Sequence, residues 1–281
     1  MNTLTAHVAL VSESSKVDFG QISEVAASLQ KQVVRDFGPI WNIEATVNGF
    51  DKLESVPTDY WPVVVRDDIN APGVGGYHID KNGQPFALIH ADSYWTLSSS
   101  HETIEMLVDP FGNRVVAGSP PPGAPAPISG FSRLNYLVEV CDPCQSDEFS
   151  YNVNGITVSD FATPHYFDPD ETSGFKYSFT GSINSPHMVA NDGYVSFCNA
   201  ADNHWYQMLV VNGKTTINDI GVVTLSDGKS LREMMDRAAR EVRQKQNMKE
   251  EAPHPSDPVL KASRYGVARA QALRQYIDTL I

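Results

Sequence analysis

Residues 5–12 (Thr-Ala-His-Val-Ala-Leu-Val-Ser) alternate between apolar and polar positions, which predicts a first strand. From Gln21 to Phe37 the period lengthens. Ile22, Val25, Ala26, Leu29, Val33 and Val34 recur at helical spacing, and Gly38-Pro39 predicts the stop because glycine caps a helix and proline cannot continue it. Further strands are expected at Trp41–Val47, Trp61–Val65, around Tyr77-His78-Ile79 and at Phe86–His90, with a turn at Lys81-Asn82-Gly83. A second helix follows at once, through residues 100–109.

Beyond it, residues 118–130 hold five prolines and cannot form a helix or a central strand, so a stiff loop is expected there. Residues 131–225 mix short strands with turns, of which Val153-Asn154-Gly155-Ile156 is the best hairpin signal. Leu231, Met234, Met235, Ala238 and Val242 line one side of an expected helix over 230–249. Pro253 to Pro258 breaks the pattern, and one or two helices close the chain over 259–281. The expected organisation is an N-terminal subdomain over 1–117, the loop at 118–130, a second subdomain over 131–225 and a helical tail over 226–281. The fold class is α+β.

The chemistry concentrates in Ser100-His101-Glu102-Thr103-Ile104-Glu105, which closes at Asp109-Pro110. Residues four apart on a helix share a face, so His101 and Glu105 can grip one ion. A carboxylate oxygen binds zinc at about 2.0–2.2 Å. Glu102 points elsewhere, where a general base belongs. Catalytic zinc needs three protein ligands and an open position, and the third can come from Asp109, Glu139 or Asp142. Asp109 lies two turns on, about 12 Å along the axis. Glu139, in Tyr136-Leu137-Val138-Glu139-Val140-Cys141-Asp142, follows a loop long enough to fold back on the helix.

This segment resembles the zinc-binding helix of the zincin metallopeptidases, with glutamate in place of the second histidine. The pattern His-Glu-x-x-Glu-x-x-x-Asp-Pro followed by Glu-Val-x-Asp is also similar to the exordium-like, phosphate-induced plant proteins and related microbial zincin-like sequences. The resemblance covers Ser100 to Cys144 by motif and residues 5–145 by element order. It implies a twisted mixed sheet with a backing helix and an active-site helix, followed by a turn-rich β region and C-terminal helices. It further implies zinc held by His101, Glu105 and Glu139, as in the gluzincin peptidases, with Asp142 fixing the histidine and Asp109 taking that place in an alternative arrangement. The activity implied is metal-assisted hydrolysis, in which Glu102 accepts the proton of a zinc-activated water. His165, Tyr166 or Tyr151 would help the developing oxyanion. By the same resemblance, Phe86, Ala87 and Leu88 form the sheet edge that pairs with an extended peptide or protein substrate.

Charge and cysteine content narrow the field. The net charge of −13 disfavours non-specific nucleic-acid binding. Residues 226–281 carry 11 Lys and Arg against 8 Asp and Glu, whereas the preceding 225 carry 10 against 26, so the tail is expected to dock on its own body or on an acidic partner, or to mediate self-association. Three cysteines make no disulfide framework, and Cys141-Asp-Pro-Cys144 reads as a pair of buried thiols. No stretch reaches the length of a membrane span, and Met1–His7 lacks the pattern of a secretory signal, so the expected location is cytoplasmic. His187 and His204 read as packing residues, and Gly73-Val74-Gly75-Gly76 as a turn. Two other functions fit the same residues: a zincin-fold binding module without turnover, and a metal-dependent enzyme for a small molecule.

Overall fold

The computed structural model describes residues 5–71, 73–223, 230–235, 237 and 264–280. These form two compact units. The first is built from the chain up to Thr103, from Asn152–Val158 and from the C-terminal helix; the second is built from Ile104–Tyr151 and from the described residues between Ser159 and that helix. The division falls inside a helix, whereas the sequence suggested a boundary at the proline-rich loop.

In the first unit, β1 (Ala6–Ser12) leads into α1 (Phe19–Lys31). Asp18 caps α1 in a reciprocal capping box with Gln21, which satisfies two of the backbone groups a helix start leaves open. The helix does not stop at Gly38. It widens into a π-helical stretch, Gln32–Phe37, and continues as α2 (Gly38–Trp41), ending at Asn42 in the left-handed region. Gly38-Pro39 sits in the first turn of α2, where the missing proline N–H costs nothing. Strands β2 (Ala45–Phe50), β3 (Tyr60–Arg66), β4 (Gly76–Lys81) and β5 (Gln84–His90) follow.

The sheet order is β2-β1-β3-β5-β4. β1 runs parallel to β2 and β3, β3 runs parallel to β5, and β4 is antiparallel to β5. This corrects one expectation. Phe86, Ala87 and Leu88 lie on β5, which pairs with β3 on one side and β4 on the other, and all three are fully buried. The sheet ends at β4 because the Asn82-Gly83 turn, with both residues at positive φ, folds it back along β5.

Mostly parallel sheets need both faces covered. On one face Ala9, Val11, Val64, Ile79, Phe86 and Leu88 meet Ala270, Leu273, Tyr276 and Ile277 of α4 (Arg264–Leu280). Arg274 ties this helix to Glu13 and Glu54, and the Lys81 ammonium sits 3.9 Å from the Tyr276 ring centre. Helix α1 packs on β1 and β2.

The second unit is an antiparallel sheet in the order β12-β11-β10-β7-β6, made of β6 (Val115–Gly118), β7 (Leu134–Leu137), β10 (Tyr194–Asn199), β11 (His204–Val211) and β12 (Lys214–Val222). Leu137, Cys198, Trp205 and Val223 form an apolar cluster with Met235, from a helical turn at 231–235. The rest of the helix expected over 230–249 lies outside the described residues, save for helical residue 237. The Asn154-Gly155 hairpin joins β8 (Tyr151–Val153) to β9 (Ile156–Val158). No helix among the described residues is long and apolar enough to cross a membrane.

Candidate metal centre

Helix α3 (Trp95–Val108) leaves β5 after a short turn and carries His101, Glu102 and Glu105. Ser98, Ser99 and Ser100 lie inside it, with Ser99 and Ser100 fully buried. Small side chains let the helix approach its neighbours: Ser100 Oγ donates to Gln32 Oε1 at 2.8 Å. A Cβ on Gly76 would lie 3.1 Å from Glu102 Cγ, so the glycine at the start of β4 makes room for that glutamate.

In the first unit, Glu102 is 3% exposed and lies against two imidazoles. Its Oε2 is 3.2 Å from His78 Nδ1 and its Oε1 is 3.9 Å from His101 Nε2. The strand pleat explains His78. Tyr77 and Ile79 pack toward α4, so the residue between them points to the opposite face.

In the second unit, Glu105 is fully buried. Its Oε1 accepts the Cys141 N–H at 2.9 Å, and its Oε2 accepts from an Arg232 guanidinium nitrogen. Arg232 Nε also lies 3.9 Å from Glu139 Oε1. The 3-10 turn Asp142–Cys144 brings Asp142 alongside: the ligand atoms of Glu105 and Asp142 come within 4.8 Å of each other. Along α3, those of His101 and Glu105 do the same. Glu139, expected as the third ligand, is not among these convergent groups, because its carboxylate runs toward Arg232 while the turn after it delivers Asp142. Asp109 is occupied in another way. Its Oδ2 accepts the Arg114 N–H at 2.7 Å, which closes the loop after α3.

The surroundings are acidic. Glu105, Asp109, Glu139, Asp142 and Asp160 of this unit are all buried, and Arg232 is the one buried Arg or Lys among the described residues. Burial, reinforced by the charges of Glu105 and Asp142, pushes the thiols of Cys141 and Cys144 well above their usual range, so both stay protonated and unreactive. Asp160 is held by the Thr180 N–H and by the hydroxyls of Thr180 and Ser182.

The three candidate oxyanion helpers pack against other partners. His165 stacks on Phe175 at 3.8 Å and its Nδ1 lies 2.7 Å from Asp168 Oδ2. Tyr166 is fully buried, with its phenol pushed far up by burial and then by neighbours that include Tyr136, Cys144 and Asp142. Tyr151 packs on Phe179.

Two residues escaped the sequence reading. His78 carries a period-2 signal, since it stands alone between two apolar neighbours on a strand beside the helix. Arg232 has no local signal at all, lying 127 residues from its partner Glu105. Comparison with known proteins finds no matching family model, no matching curated protein and no matching solved structure.

Proposed function

We propose that this protein is a zinc-dependent hydrolase of the zincin type, acting on an extended peptide segment. The observations that carry the reading are the spacing of an imidazole and a carboxylate one turn apart along α3 and, within the second unit, the approach of a second carboxylate to the first. His101 and Glu105 bring ligand atoms within 4.8 Å, and Glu105 and Asp142 do likewise. This set fits a divalent cation chemically. An imidazole with two carboxylates is an accepted zinc environment. Each oxygen of an ionised carboxylate offers about two lone-pair directions, so one donor on an oxygen does not by itself bar an ion from that carboxylate.

A bound divalent ion would supply Lewis-acid polarisation of a carbonyl and acidification of water. The chain supplies the rest. Glu102 accepts the proton as water attacks, and His78, 3.2 Å from its Oε2, fixes the orientation of that carboxylate. The layout agrees with the zincin resemblance: a mixed sheet, a backing helix α1, and α3 directly after β5. The edge available to an extended peptide is β4 rather than β5, and backbone groups along such an edge can pair with a substrate strand.

One observation favours a second reading. A guanidinium already occupies one oxygen of Glu105. A zincin fold in which Arg232 serves as the permanent counter-ion would be a binding module without turnover. Metal analysis after zinc loading and dialysis separates the two. The hydrolase reading expects about one zinc per chain, lost in His101→Ala and kept in Glu102→Gln, with cleavage of an unfolded protein substrate lost in both. Absence of zinc from folded wild type, or equal cleavage by Glu102→Gln, would refute it.

A further inference from the structure

The Arg232 side chain is anchored more firmly than packing alone requires. It is 2% exposed and donates to Glu105 while its Nε faces Glu139 at 3.9 Å, all within the second unit. Its backbone N–H donates to Gly112 O at 3.0 Å, and the Leu231 N–H donates to Asn113 Oδ1 at 3.0 Å. Ser230 Oγ accepts the Glu233 N–H, and Met235 O accepts from Gln207 Nε2 at 3.4 Å. Gly112 holds φ +61, and a Cβ there would lie 2.8 Å from Arg232 Cβ. Only glycine, then, permits both the turn and the close approach. A buried arginine is expensive to desolvate, and an apolar residue of similar volume would fill the space at less cost. The arrangement therefore selects for charge.

Resting on the zinc reading above, we infer that Arg232 is a positioning residue that acts through Glu105: an internal cation that competes with the divalent ion for this carboxylate. While the guanidinium holds Glu105, it keeps the ligand aimed, but it repels a second cation. Affinity for the ion is thereby held down, and ion exchange is made easier. Without Arg232, Glu105 and Glu139 would lose the guanidinium they share, and an incoming divalent ion would meet no positive charge from it at Glu105. The same change should thus weaken the ion-free protein and strengthen its hold on zinc.

The test uses the full chain as wild type, Arg232→Met, Arg232→Gln and Arg232→Lys, with Zn²⁺ as the probe. Affinity is read by competition with a chromophoric chelator, and stability by thermal unfolding with and without saturating zinc. Removing a positive charge this close to the ion is expected to tighten zinc binding about tenfold or more. Zinc should raise the melting temperature of Arg232→Met more than that of wild type, while Arg232→Lys, which keeps the charge, should bind zinc like wild type. If Arg232→Met does not fold, Arg232→Gln, which can still hydrogen-bond to both glutamates, carries the same expectation. Equal zinc affinities and equal zinc-induced shifts in wild type and the neutral variants would overturn the inference and leave the zinc reading standing. No zinc bound by any folded form would overturn both.

Discussion

His187 offers a direct test of the electrostatics of the second unit. Its ring is 1% exposed and stacks on Tyr136 with ring centres 4.2 Å apart. Its Nε2 has no hydrogen-bond partner among the described residues. Burial lowers its pKa from the ordinary 6.5 to about 4, against a smaller opposing pull from Asp168. Between these two values the unfolded chain takes up a proton that the folded protein refuses. Stability is therefore complete above the unfolded pKa and falls as the pH drops through the window toward 4. At about 1.4 kcal/mol per unit, this group alone removes about 2–3 kcal/mol between about pH 7 and about pH 4.5. The perturbation is His187→Asn, because φ at this position is +56 and asparagine tolerates that region. Loss of the ring costs about 2–4 kcal/mol at every pH, so the informative quantity is the difference between the two pH profiles. Guanidinium unfolding of both proteins across that range is expected to show the wild type losing stability faster on acidification, with the variant flatter by about 2 kcal/mol. Parallel profiles would refute the assignment of a neutral buried imidazole.

Two further outcomes follow from the geometry. A Cβ on Gly193 would lie 2.6 Å from Pro143 O and 2.8 Å from Asp142 O, and backbone oxygens cannot yield as a flexible side chain does. Gly193→Ala is expected to cost about 1–3 kcal/mol and, by moving the turn that carries Asp142, to weaken zinc binding; thermal unfolding and chelator competition measure the two effects. Arg274 joins α4 to Glu13 and Glu54 at a site 34% exposed, so Arg274→Ala is expected to cost about 1 kcal/mol after allowance for solvent screening. Burial would raise the Glu54 carboxyl pKa, but the Arg274 hydrogen bond and charge lower it overall. The contribution is thus present at neutral pH and lost as the pH falls through the carboxylate range. Amide exchange should quicken across Arg264–Leu280 in the variant while β1, β3 and β5 stay protected.

The sequence by itself determined the elements whose physics is local. Alternation placed β1, a short apolar run placed β5, the 3.6-residue period placed α1, and the Asn-Gly pairs at 82 and 154 marked turns that the structure closes with both residues at positive φ. It also placed His101 and Glu105 one turn apart on one helix, because that spacing follows from the helix repeat alone. It could not tell which strand ends the sheet: β4 and β5 are both short strands joined by one turn, and strand order is decided by long-range pairing. Nor could it choose Asp142 over Glu139, since only two residues separate them and the turn that opens at Asp142 decides which carboxylate swings toward Glu105. His78 was half legible, as an isolated polar residue on a strand, but its partner became visible only once α3 lay on that face. Arg232 was not legible at all. Its ion pair closes over 127 residues, and no local periodicity encodes where a distant guanidinium comes to rest.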